Sequence, residues 1–188
     1  MLRIELHDFM RRTIVGFTIL IIICAGVRSA MAGDKIDIPK VITKSDAEKI
    51  LGVPVKDAKG RNQSGKGGYY DSEWSYHAIE GGKGLYFDVL YAGRDAPPHL
   101  TQTMFSVLPA DGSKSTRIDG LGDKAIFCPN ETGMAMLHVL KGDILVTIGI
   151  HGLPADAVLD SEKSMATKIL ATCRAAGSAA EESADCLN

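Results

Sequence analysis

Two methionines and two histidines make the most pointed chemical pattern in this chain. Met134, Met136 and His138 occupy alternate positions of one segment, and Thr147, Gly149 and His151 alternate positions of the next. Lys141-Gly142 between them has the composition of a tight turn, so both sets fall on one face of a hairpin, with His151 beside Met134. Two thioethers with one or two imidazoles are soft donors suited to Cu(I). The competing reading is packing: a helix over this face needs apolar filler, methionine supplies it, and a histidine there is satisfied by hydrogen bonds. Met134, Met136, His138 and His151 are therefore a candidate metal set that ranks below a packing role.

The aromatic residues suggest a different chemistry. All five tyrosines and the single tryptophan lie between positions 69 and 91. Such rings are favoured at binding surfaces because they offer large area with few rotatable bonds. Some of them must serve the core. Tyr70, Trp74, Tyr76 and Tyr86 are the candidate contact residues for a protein or small ligand, with the neighbouring loop Gly60–Gly68 as a second contact.

Catalytic patterns are weaker. His77, His99, His138 and His151 are each capable of general-base work, yet none has a nucleophile or carboxylate at a fixed spacing. A hydrolase would have to use a dispersed histidine site, because no Gly-x-Ser-x-Gly elbow or His-Glu-x-x-His helix is present. No catalytic residue and no cofactor are assigned. Gly60-Arg61-Asn62-Gln63-Ser64-Gly65-Lys66-Gly67 approaches a phosphate-binding loop, but Gly67 stands where a hydroxyl must meet magnesium, and Tyr69-Tyr70 opens a strand where a helix is required.

The leader bounds where any of this chemistry takes place. Arg11-Arg12, the apolar run Ile14–Val27 and Ala30-Met31-Ala32 form a secretory signal peptide over residues 1–32, cut before Gly33. The run is too short for a permanent anchor, and Ile21-Ile22-Ile23 before Cys24 is not a lipidation signal, so no stable membrane anchor is expected after processing. Met10, followed directly by Arg11-Arg12, competes with Met1 as the start. The product is expected to be periplasmic or secreted. The leader carries a net +2, so its removal takes the formal charge from −2 to −4 and leaves no basic patch for nucleic acid. Cys128, Cys173 and Cys186 remain. An oxidising compartment predicts one disulfide among them, and Cys173–Cys186 is favoured over Cys128–Cys173.

The elements that position these residues follow from hydrophobic period. The lead-in 33–42 predicts a short edge strand. Ser45-Asp46-Ala47-Glu48 reads as a capping box before a helix that ends at Gly52. Residues 57–68 read as an exposed loop. Period-two alternation over Tyr69–Ala92, broken at Gly81–Gly84, predicts a hairpin. A helix follows between Asp95 and Pro109, then a short strand over Lys124–Cys128. In the hairpin around Lys141-Gly142, Ala135, Leu137 and Val139 share a face with Ile144, Val146, Ile148 and Ile150. Ala155–Ala175 is an amphipathic helix ending at Gly177. Strands come in hairpins, so the expected fold is α+β: an antiparallel sheet built from hairpins with helices packed on one face. It forms a single domain over 33–176, with 177–188 as a flexible tail.

Ser45–Val55, Gly120–Ala125 and Leu137–Asp143 resemble an uncharacterised family of small exported bacterial proteins. The resemblance covers about residues 40–175 and implies a domain similar to that of the exported PsbP-like proteins. Many relatives have Cys-x-Tyr where this chain has Trp74-Ser75-Tyr76. The resemblance implies no catalytic residue. Taken together, these features favour an exported binding or accessory domain of the cell envelope, acting on an unknown protein or small ligand. A histidine hydrolase and a copper-binding protein are the alternatives.

Overall fold

Hairpin-forming segments build the sheet of this protein, seen in a computed structural model that describes residues 36–93, 95–108, 114–131 and 133–185, with side chains described at all but 130, 131 and 174–185. The strands are β1 (Lys59–Ser64), β2 (Tyr69–His77), β3 (Gly84–Ala92), β4 (Thr116–Arg117), β5 (Lys124–Glu131), β6 (Met134–Lys141) and β7 (Ile144–His151). Their order is β1-β2-β3-β7-β6-β5-β4, and every neighbouring pair is antiparallel. Two meanders, β1–β3 and β4–β7, are thus joined at one seam between β3 and β7. The helices are α1 (Ile38–Val41), α2 (Lys44–Leu51), α3 (Leu100–Val107) and α4 (Ala155–Asp185). The fold is α+β.

Alternation along the strands gives the sheet two unlike faces. On the closed face, Tyr76, Phe87, Leu137, Val146 and Ile148 pack with Ile38 and Ile42 of the N-terminal segment, Leu51 of α2 and Val158, Met165 and Ile169 of α4. The register of β6 on β7 puts Ala135, Leu137 and Val139 opposite Ile150, Ile148 and Val146, as their alternation requires. On the open face, α3 packs Phe105 against a smaller cluster of Leu90, Ile126, Cys128, Leu140 and Leu145. Three helices therefore lie on one face, and the short α3 takes the other. The central strands are covered on both sides, so β7 is buried at every position between its two ends.

Several local expectations change. Residues 38–41 form a helical turn instead of an edge strand, because Ile36, Ile38 and Ile42 are all drawn into the core. The cap of α2 is Thr43: its hydroxyl accepts from the Asp46 amide at 3.2 Å, and Asp46 Oδ2 accepts from the Thr43 amide at 3.0 Å. Glu48 instead accepts from the Val55 amide at 3.3 Å. The stretch expected as a loop contains edge strand β1, exposed at every position and held to β2 through its backbone. Helix α4 runs through Gly177 to Asp185, a glycine costing a helix about 1 kcal/mol without ending it. Cys128 lies in the open-face cluster and Cys173 against the closed-face core, so the sheet separates them and they do not pair. Cys186 and the leader lie outside the described residues. Among the described residues no helix is long and apolar enough to cross a membrane.

Candidate functional site

The open face carries polar side chains in register across five strands. Arg61, Glu73, Asp88, Thr147 and His138 stand directly opposite one another from β1 to β6. Arg61 pairs with Glu73 at 3.3 Å, and His138 Nδ1 shares a hydrogen bond with Thr147 Oγ1 at 3.0 Å. In the next row, Asp71 faces Leu90, which makes it the diagonal neighbour of Asp88. Carboxylates placed this way sit within reach of each other.

Above this region, between the sheet and α3, lies a cleft of about 360 Å³ lined by Gly67, Tyr69, Asp71, Asp88, Leu90, Pro97, Leu100, Met104, Leu145 and Thr147. Its walls are set by close backbone contacts. Gly68, at φ +72°, turns β2 against Asp95 and Ala96, where a side chain would collide, and the Gly93 amide donates to the Gly68 carbonyl at 2.8 Å. Gln102 anchors α3 by donating from Nε2 to the Gly142 carbonyl at 2.9 Å. His99, just before α3, holds a left-handed φ of 59°, uncommon for a residue with a side chain. The chain thus bends sharply to lay α3 across the face.

The cleft is mostly apolar, and Asp71 and Asp88 are the charged residues in its lining. Burial, then the negative charge of Asp71, then a hydrogen bond with Asp71 and the charge of Glu73, push Asp88 up to about 7. Asp88 therefore keeps its proton to higher pH than an ordinary carboxyl, as burial beside like charges requires. Asp71 Oδ1 is buried with no hydrogen-bond partner among the described residues. An acceptor buried without a donor costs about 1–3 kcal/mol, which a ligand bearing a donor recovers.

The aromatic residues singled out from the sequence do not form one surface. Tyr76 is a core residue whose hydroxyl donates to the Ile42 carbonyl at 2.6 Å, with its ring edge-on to Phe87. Tyr70 donates to the Ile36 carbonyl at 3.3 Å, and Trp74 Nε1 donates to Asn62 Oδ1 at 3.0 Å; both lie on the closed side. Tyr86 alone faces the other way, with its hydroxyl pushed well above the ordinary tyrosine range by burial and by Asp88. The glycine-rich stretch has a packing purpose as well. A side chain at Gly60 would collide with Trp74 and the Glu73 carbonyl, and Asn62 bonds Ser72 and Trp74.

The soft-donor set is divided too. His138 is buried and tied to Thr147, whereas His151 lies at the sheet's end opposite Met134, with its ring 6.1 Å from that of His77. The structure thus adds His77 to the neighbourhood and directs His138 elsewhere. Sequence reasoning missed Asp71 and Asp88 as a site. The signal was there in Asp88, a carboxylate between Phe87 and Val89 in an otherwise apolar strand. Comparison of the chain with protein-family models, curated proteins and solved structures finds no match.

Proposed function

We propose that this chain is a ligand-binding domain of the bacterial periplasm or cell envelope, exported by its leader and without catalytic residues of its own. Its ligand is a small organic cation: an ammonium or amidinium head on an apolar arm. The observation that carries the reading is the Asp71–Asp88 pair lining a mostly apolar cleft, with Asp71 Oδ1 buried and without a hydrogen-bond partner among the described residues. A cationic N–H donor supplies both the missing hydrogen bond and the missing charge. Leu90, Leu100, Met104 and Leu145 offer the surface an aliphatic or aromatic arm would cover. Among the described residues no histidine lines the cleft, so a histidine hydrolase would find no such base in its lining.

Calorimetric titration with n-octylammonium, using n-octanol as the neutral control, tests this reading. The ammonium is expected to bind at one site, and its affinity should rise as pH passes upward through 7 and Asp88 gives up its proton. Asp71→Asn and Asp88→Asn should each weaken it at least tenfold, the scale of one lost charge-assisted hydrogen bond. Octanol binding as tightly as octylammonium, or Asp71→Asn binding unchanged, would overturn the assignment.

A further inference from the structure

At the far end of the open face, His77 of β2 and His151 of β7 share a row with Gly84 of β3 between them. Adjacent strands lie about 4.8 Å apart, so the two histidine backbones flank a space that any larger residue on β3 would fill. Glycine leaves it open to the His151 ring. The His151 ring lies across the opening, where a Cβ at position 84 would collide with its Nε2. The two imidazole centroids are 6.1 Å apart with their planes tilted by 46°. Two imidazoles on one metal ion, with bonds of about 2 Å, have centroids about 5 Å apart at a tetrahedral angle and about 6 Å apart when nearly collinear, the geometry two-coordinate Cu(I) takes.

Other contacts prepare the pair. Ser75 Oγ lies 3.2 Å from His77 Nε2, which holds the ring and leaves Nδ1 as the lone-pair nitrogen when Nε2 carries the proton. Met134 is the strand partner of His151, and its thioether lies over Gly149, a second position where a side chain would collide. Among the described residues no third His, Cys, Asp or Glu converges with the pair. Two imidazoles and a nearby thioether fall short of the four donors zinc takes, while Cu(I) accepts two or three soft donors.

We propose that His77 and His151, brought together over Gly84, form a surface site for one Cu(I) ion, with the Met134 thioether as third donor. This site is separate from the carboxyl cleft and does not depend on the ligand reading given above. It keeps His151 and Met134 from the set visible in the sequence and replaces His138 and Met136 with His77.

The test uses the purified protein titrated with Cu(I) under reducing conditions, in competition with a chromogenic Cu(I) chelator. Imidazole NMR signals are followed at the same time, since Cu(I) is diamagnetic and the cysteines offer rival sites. One equivalent should shift the ring signals of His77 and His151 and leave those of His138 in place. His77→Gln, at an exposed position where folding is not at stake, should lower affinity at least tenfold, as should His151→Gln. Met134→Leu should lower it less. Cu(I) uptake that leaves the His77 and His151 signals unmoved, or that survives His77→Gln unchanged, would place the metal on the thiols and overturn the proposal.

Discussion

Each face of the sheet buries a carboxyl, and the two are kept in opposite ways. Glu162 is fully buried, and its spacing from Val158, Met165 and Ala166 puts it on the core-facing stripe of α4; both of its oxygens lack a partner among the described residues. Burial alone pushes it up to about 8. On the open face, Asp88 is raised by burial and also by Asp71, beside a cleft that a molecule can enter. Glu162 is sealed and answers to no other charge. Asp88 belongs to a pair, is reachable, and sits where apolar walls converge. Perturbed acidity is common to both, so it cannot by itself mark a site. Access and a specific partner make the difference.

Replacing Glu162 should produce the largest effect and should leave ligand binding alone. A carboxyl whose folded value lies near 8 and whose ordinary value is 4.5 binds more protons in the folded state between those limits. Stability therefore falls as pH rises from 4.5 to 8 and is level above. Glu162→Met removes that penalty, so the variant should gain up to several kcal/mol at pH 8.5 and little at pH 4.5. Urea unfolding at the two pH values measures the difference. An equal gain at both would mean that packing, and not ionisation, governs the position.

The matching change on the open face is Asp71→Asn. It takes one negative charge from beside Asp88 and gives it an amide donor, so the Asp88 value should fall while burial still holds it above 3.8. Wild-type stability declines as pH rises from 3.8 to about 7, and the variant should decline less, gaining roughly 1 kcal/mol at pH 8. Octylammonium binding should drop at the same time. A gain in stability with a loss of binding is the mark of a group kept for function. Weaker binding in Glu162→Met with unchanged binding in Asp71→Asn would erase the distinction between the two carboxyls.

How much of this the sequence contained depends on how far apart the interacting residues lie. The hairpin register was legible because β6 and β7 each carry their own alternation and need only a two-residue turn to align. The cap of α2 was misplaced because Thr43-x-x-Asp46 and Ser45-x-x-Glu48 overlap: both fit a hydroxyl followed three residues later by a carboxylate, and only the second has the more usual Glu. Strand β1 was invisible: its side chains are all exposed, so no hydrophobic period records a pairing made by backbone alone. The candidate site was out of reach for a different reason. Local parity puts Asp88 opposite Phe87 and Val89, but its cleft exists only because β3 pairs with β7 and α3 lies across the seam. The same pairing brings His77 and His151 together from distant parts of the chain.

The smallest expected effect tests whether the faces differ as their tyrosines suggest. Tyr76 is 1% exposed and donates to the Ile42 carbonyl at 2.6 Å, which ties the loop between α1 and α2 to the centre of the closed face. Tyr76→Phe keeps the ring against Phe87 but leaves that carbonyl buried without its donor, so it should cost about 1–2 kcal/mol. Tyr86 sits in the next row of the open face, half-buried, beside a cleft that already contains polar groups. Tyr86→Phe should change stability by no more than about 0.5 kcal/mol, the range for substitutions that break no buried bond. Thermal unfolding of the two variants side by side gives the comparison. Equal losses would mean the open face is as rigidly built as the closed one, and that would weaken the argument that its carboxyl pair is held ready for a ligand.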